Sequence, residues 1–277
     1  MAFITVQDMS DFLGYRAVRS HNRETFLLNY ATLIRAFVLL DESFTVLAAS
    51  LNRRDKTGSA HVSLIPLLLL MQRQSRSSFD AISSHQSYEG WVLLRPAIEA
   101  TLIMGKWMDR PEMARIWANR FKDAKKYRQE YSGGDKLRSQ SLPRSVQIQG
   151  VLGKVNDNFL HPNPDYVLRH LDASPVGDAH IGLQVNYFDT QTQTAVNALA
   201  WLHLISVIQD SCREMLLQVF ASVPEMRLSP ADLQREFLDQ VSDLGKEKIA
   251  RAVLVDFGLW PNVWEPPPLT PPSDLRG

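Results

Sequence analysis

Three charged side chains stand together on a stretch that the rest of its sequence would bury. Wound as a helix, 88–108 places Arg95, Glu99 and Lys106 within about 40° of one another, flanked on both sides by apolar residues. Trp91, Leu94, Ile98 and Leu102 form one face, and Val92, Leu93, Ala97, Ala100, Ile103, Met104 and Trp107 cover nearly all the rest. A helix apolar all round is a buried helix. Arg95 and Glu99 are four residues apart, within salt-bridge reach. Two chemistries follow. The stripe can line a cleft, where a guanidinium stabilises phosphate charge and a carboxylate steadies it or an acid–base group. Or the pair is a structural bridge that fixes helix register, with Lys106 reaching toward solvent. Pro96 frees the carbonyl of Val92 and is expected to kink the helix there.

A second group lies farther along. In the helix expected after Pro143, Val151, Leu152, Val155 and Phe159 make the apolar face. Lys154, Asn158 and His161 occupy one flank at i, i+4 and i+7, and Pro162-Asn163-Pro164 forbids continuation past His161. An imidazole at that end is stabilised as the cation by the backbone dipole and titrates near neutrality, as a general acid or base must. A histidine so placed is also an ordinary helix cap. It gains catalytic meaning by facing Glu99.

Helices must position both groups. Phe26, Tyr30, Leu33, Phe37, Leu40, Phe44, Leu47 and Leu51 recur at spacings of four and three. They predict one amphipathic helix over 23–52, about 45 Å long. Its seam could pair with a second copy, although packing on the chain's own helices is the commoner outcome. The polar stretch 53–59 reads as a loop. Further helices are expected over 63–84, 87–108 with Ser87 as cap, 109–131, 143–161, 190–221 and 230–257. Alternation over 166–171 and 181–188, around Ser174-Pro175 and Gly177-Asp178, predicts a small β-hairpin. The fold class is all-α, a multi-helix bundle with long antiparallel helices and that minor β element. A single helical domain is expected over 1–260, with its charged core at about 62–170, followed by a Pro-rich tail over 261–277.

Composition bounds the function classes. The chain of 277 residues can bury a sizeable core, and 45% hydrophobic with 22% charged residues are ordinary globular values. Thirty basic and thirty acidic side chains cancel, so no global field points to nucleic acid, membrane or an acidic partner. The lone Cys212 cannot form an internal disulfide and leaves no cysteine metal cluster, which fits a reducing compartment. Neither 64–71 nor 195–208 reaches the roughly 18 apolar residues that a spanning helix needs. A cytoplasmic protein without membrane contact is the expectation. Gly-rich phosphate loops, His-Glu-x-x-His and Gly-x-Ser-x-Gly do not occur, so neither a cofactor nor a metal is expected. His203 reads as a hydrogen-bonded core histidine and His85 as a turn residue.

Charge is nevertheless uneven. Residues 110–144 carry ten Lys/Arg against four Asp/Glu. Arg115, Arg120, Lys122, Lys125, Lys126 and Arg128 interleave Trp117, Phe121, Tyr127 and Tyr131, a combination found on nucleic-acid surfaces. RNA is therefore a candidate partner through 110–144. Against it, Met113, Trp117, Phe121 and Ala124 follow helical spacing and are expected to be core, leaving the charges as a solvated face. The run Pro266-Pro267-Pro268-Leu269-Thr270-Pro271-Pro272 favours polyproline II geometry and could dock on a protein partner, while a surface-laid or disordered terminus is the commoner outcome.

Two segments carry a family resemblance. Leu94-Arg95-Pro96-Ala97-Ile98-Glu99-Ala100, followed by Gly105-Lys106-Trp107-Met108, resembles the Arg-Pro-x-x-Glu-Ala…Gly-x-Trp signature of an uncharacterised bacterial helical family, a domain of unknown function. Asn156-Asp157-Asn158-Phe159-Leu160-His161, then Tyr166 and Arg169, resembles that family's Asn-x-Phe-x-His stretch. The family is similar to the HEPN-like helical domains, many of which are metal-independent ribonucleases of toxin and phage-defence systems. The resemblance implies His161 as the catalytic histidine and Glu99 as its partner on a neighbouring helix. Where HEPN-like sites carry an arginine before that histidine, this chain has Lys154, and Arg95 can substitute from the neighbouring helix. Such sites are commonly composite, so the resemblance also implies a homodimer. Two function classes stay open: a ribonuclease using His161, Glu99, Arg95, Lys154 and Asn158, and a non-catalytic helical binding or regulatory module with a structural Arg95–Glu99 pair.

Overall fold

Apolar residues spaced three and four apart wind most of the chain into helices. The structure, a computed structural model, describes residues 12–52, 64–157, 171–176, 180–185 and 187–233. The first periodic stretch is two helices, α1 (Phe12–Asn29) and α2 (Ala31–Asn52), instead of one over 23–52. The division at Tyr30 is local, because Tyr30 N–H still donates to Phe26 O and Ile34 N–H to Tyr30 O. The seam turns inward: Phe26, Leu33, Leu40, Phe44, Leu47 and Leu51 are buried, with Tyr30 and Phe37 packed against them. It is a core face of this chain.

Helices α3 (Leu64–Ser83) and α4 (Ser87–Asp109) form the most extensive helix pair. Their turn holds His85 in the left-handed region, with φ 63. For a residue with a Cβ that conformation is uncommon and must be held. Asp189 holds it from a distance: its N–H donates to His85 O at 2.8 Å, and its carbonyl lies 3.1 Å from His85 Nδ1. The Asp189 carboxylate also accepts the Ser87 N–H at 2.8 Å. Ser87, expected as the cap of α4, is thus its first residue, and the cap comes from a distant segment.

The expected helix over 109–131 is two short ones, α5 (Met113–Ala118) and α6 (Ala124–Tyr131). Asp123 accepts the N–H of Lys126 and starts α6 anew. A 3-10 turn (Gly134–Leu137) follows, and then α7 (Ser145–Val155). Strands β1 (Leu171–Val176) and β2 (His180–Val185) pair antiparallel, from Leu171 opposite Val185 to Val176 opposite His180. A hairpin occurs within the expected 166–188, but its first strand is Leu171–Val176 where alternation put 166–171, so Ser174-Pro175 lies within β1 instead of in the connection. A capping box of Thr190 and Gln193 opens α8 (Gln191–Leu217). Residues 230–233 begin another helix. The loop over 53–59, the rest of the helix expected over 230–257 and the tail over 261–277 lie outside the described residues.

The molecule is an all-α bundle in which α8 packs on α2, α3 and α4. Trp91 and Trp201 are fully buried, and each indole N–H has an acceptor. Trp201 donates to Ser78 Oγ at 2.7 Å, which donates on to Gly90 O at 2.6 Å, while Trp91 donates to Asn197 Oδ1 at 2.9 Å. These bonds join α3, α4 and α8 and discharge polar atoms that burial would otherwise penalise. Phe37 and Phe79 stack at 4.2 Å beside Trp201. No described helix is long and apolar enough to cross a membrane.

His203 lies in this core as expected, but its Nδ1 has no hydrogen-bond partner among the described residues. Burial pushes its pKa down to about 4. The unfolded chain, titrating near 6.5, therefore takes up this proton first. The stability contributed is full above that value and is lost as pH falls through the folded one, by about 3 kcal/mol in all. Urea midpoints followed from neutral to acid pH should fall more steeply for the native protein than for His203→Leu. Parallel curves would show that burial does not depress the His203 pKa in the folded protein.

Candidate functional site

One side of α4 stays open. Val92, Arg95, Pro96, Glu99 and Ile103 are half-buried and Leu93 is 38% exposed, so the helix is not covered all round as its apolar content predicts. Helix assignment runs unbroken through Pro96. On the open side Arg95 Nη2 meets Glu99 Oε1 at 2.7 Å, the pair being 35% and 33% exposed. Arg95 Nε also donates to Asn156 Oδ1 at 2.7 Å, which links α4 to the end of α7. The guanidinium is thereby held along two edges, and its Nη1 has no partner among the described residues.

Lys106 belongs to the same angular stripe but to a different environment. Its side chain is 3% exposed, where the sequence suggested a reach to solvent. The ammonium donates to the carbonyls of Glu130 and Lys136, lies 3.7 Å from the Glu130 carboxylate and sits 4.7 Å above the Tyr131 ring. Burial lowers its pKa, and the neighbouring Arg110 pushes the same way. Tyr131 is pushed up to about 12 by burial and both accepts from Trp107 Nε1 and donates to Met113 O. Gly105, one residue before, leaves room that a Cβ would fill, only 2.7 Å from Leu142 Cβ. Asp109 accepts the N–H groups of Gln140 and Ser141, and these bonds outweigh burial and hold its carboxyl low. The Gly-Lys-Trp half of the first motif thus fastens α4 to 130–142. The Arg-Pro-x-x-Glu half faces outward.

Of the second group, Lys154 is half-buried on α7 and makes no ion pair or hydrogen bond with Arg95 or Glu99. Asn158 and His161 lie outside the described residues. The partner of Arg95 on α7 is instead Asn156, which the flank reading passed over. Residues 156–157 form a π-helical turn. An asparagine in a motif at a helix end was the available signal.

The basic segment also differs from expectation. Met113 is buried and Trp117 half-buried against Trp107, as the spacing predicts. Phe121, however, is 86% exposed, and Ala124 is exposed too, because the break at 119–123 turns them out of the apolar stripe. Arg120 lies 4.4 Å above the Trp117 ring and 4.5 Å from that of Phe121. Arg110 pairs with Glu130, Arg138 with Asp135, and Arg144 with Asp210 and Glu214. Arg115, Arg120, Lys122, Lys125, Lys126 and Arg128 have no carboxylate partner among the described residues, and Arg120 lies against the exposed Phe121.

Fold and site together define an all-α protein with a held, outward-facing arginine on one helix and a cationic aromatic platform beside it in sequence. No family model, curated protein or solved structure matches the chain.

Proposed function

We propose that this protein is a metal-independent ribonuclease of the HEPN-like kind, in which Arg95 receives the phosphate and His161 moves the protons. The observation that carries the reading is the hold on Arg95. An ion pair a third exposed contributes roughly 0–1 kcal/mol to stability, so structure alone gives little reason for a second helix to orient it. Asn156 does orient it, and Nη1 stays available for a phosphate oxygen. Lys154 adds positive charge nearby in the motif, and Asn158 and His161 follow within two turns of sequence. His161 takes a proton from the ribose hydroxyl or returns one to the leaving oxygen, while Glu99 keeps Arg95 in place. A second copy of the chain is the natural source of a further arginine. The reading is tested by cleavage of total RNA in the presence of EDTA, with native protein beside His161→Ala.

Substrate RNA is held, on this reading, by the platform at Phe121. Base stacking on an exposed aromatic contributes about 1–3 kcal/mol per base, and the unpaired cations near it in sequence follow the strand's phosphates. Phe121→Ala should weaken binding of single-stranded RNA about tenfold, within that range. Lys125→Ala with Lys126→Ala should flatten the salt dependence by about one unit of slope. Unchanged affinity in both variants would return this face to ordinary solvated surface.

The alternative is a non-catalytic helical module in which Arg95, Glu99 and Asn156 join α4 to α7. The bond from Arg95 to Asn156 supports that role as well, and the absence of any cleavage would select it.

A further inference from the structure

A cleft of about 200 Å³ lies between α1 and the end of α3, lined by Arg16, Arg19, Ser20, Arg23, Asp80 and Ser84. Helical spacing builds one wall, since 16, 19, 20 and 23 fall on a single flank of α1, beside the buried Val18 and Phe26. Tyr15 fixes α1 there by stacking on Phe188 and accepting a hydrogen bond from Gln86. Three guanidinia thus share the cleft with one carboxylate. Asp80 turns Oδ2 to Arg19 at 3.3 Å and Oδ1 to Arg23 at 3.1 Å. Arg19 Nε is buried with no partner among the described residues. Arg16 rests 5.9 Å from the Phe12 ring and has no carboxylate partner among the described residues. Ser84 is occupied, its hydroxyl donating to Asp80 O.

We propose that this cleft binds the dianionic phosphate of a phosphate monoester. Charge selects it: the lining carries two positive charges beyond what Asp80 neutralises, and a monoester brings about −1.5 to −2. A diester, with a single negative charge, leaves the cleft half-compensated. Geometry agrees, because guanidinium forks match phosphate oxygens two at a time. Size sets the rest. Sites that enclose whole small molecules begin at about 300 Å³, so this cleft takes the phosphoryl head and leaves the remainder in solvent. Two sources present the same head, a free mononucleotide and the 5′-phosphorylated end of an RNA. The site is built from elements other than those around Arg95, and the inference does not rest on the ribonuclease reading.

The test is isothermal titration of the full chain near neutral to mildly alkaline pH, where the monoester is a dianion. The probes are AMP, cyclic AMP, and one short oligoribonucleotide with and without a 5′-phosphate. The native protein should bind AMP about tenfold more tightly than cyclic AMP, or 1.4 kcal/mol. Arg16→Ala with Arg23→Ala should weaken AMP by a similar factor; both side chains are exposed, so circular dichroism should be unchanged. Arg19→Gln, which removes the orphaned Nε–H, gives a second reading of the same site. Loss of both AMP and the phosphorylated oligonucleotide identifies the head group as the whole determinant. Loss of one alone identifies the source. The proposal is overturned if AMP does not bind, if cyclic AMP binds as well, or if the variants bind AMP as the native protein does.

Discussion

Lys106→Ala should lower the stability of the protein by about 3–8 kcal/mol, more than any other single change on the charged stripe of α4. Two costs add. Truncating a long buried side chain loses its packing and leaves a cavity, roughly 2–5 kcal/mol for large-to-alanine changes. The carbonyls of Glu130 and Lys136 then lose the donor they share, and an unsatisfied buried acceptor costs about 1–3 kcal/mol. Glu130 keeps Arg110 as partner, so no charge is stranded. Lys106→Met, which keeps the volume, should recover part of the loss, and the remainder measures the polar contacts alone. Chemical denaturation of the three proteins gives the values. On the same grounds Glu130→Ala should cost more than Glu99→Ala. Glu130 serves both Lys106 and Arg110, whereas Glu99 serves a half-open pair. Near-equal stability of Lys106→Ala and the native protein would show that its contacts do not form.

The second large effect is on activity. In the proposed site Arg95→Ala removes the phosphate ligand without touching the core. Cleavage should fall by about 100- to 1000-fold, the loss seen when one preorganised donor is taken from a transition state. Stability should change by less than about 1 kcal/mol, as for a partly exposed ion pair. Arg95→Lys keeps the charge but not the two-edged hold by Glu99 and Asn156, and should remain well below the native rate. A stability loss as large as that of Lys106→Ala, with cleavage unaffected, would assign Arg95 to the joint between α4 and α7.

Why these two residues differ was not legible from the sequence. A helical wheel gives the angle of a side chain and says nothing about what lies over it. Arg95 and Lys106 share an angle, yet 130–136 covers Lys106, while among the described residues the end of α7 reaches Arg95. That covering segment follows the break at 119–123, which contains neither glycine nor proline to announce it. It is made by Asp123, whose capping bond to Lys126 competes with helix continuation. Phe121 and Ala124 were assigned to the core for the same reason and are exposed. Long periodic stretches bounded by caps and prolines read well: α3, α4 and α8 begin within a residue of the expected positions. The hairpin was found with its strands displaced, because alternation over six residues fixes a strand's existence better than its ends. Within the site, Arg95 and Glu99 pair as their spacing predicts, and Asn156 was missed because it lies off the flank of 154, 158 and 161.

The central claim concerns His161, and cleavage tests it most directly. Purified native protein and His161→Ala are each incubated with total RNA and EDTA at several protein concentrations. Proton transfer by a positioned side chain contributes about 100- to 10,000-fold, so the native protein should cleave and the variant should lose that factor while melting at the same temperature. Cleavage that rises faster than protein concentration would add the second copy to the site. Identical traces for the two proteins would contradict the catalytic account and leave Arg95, Glu99 and Asn156 as the joint of a binding module.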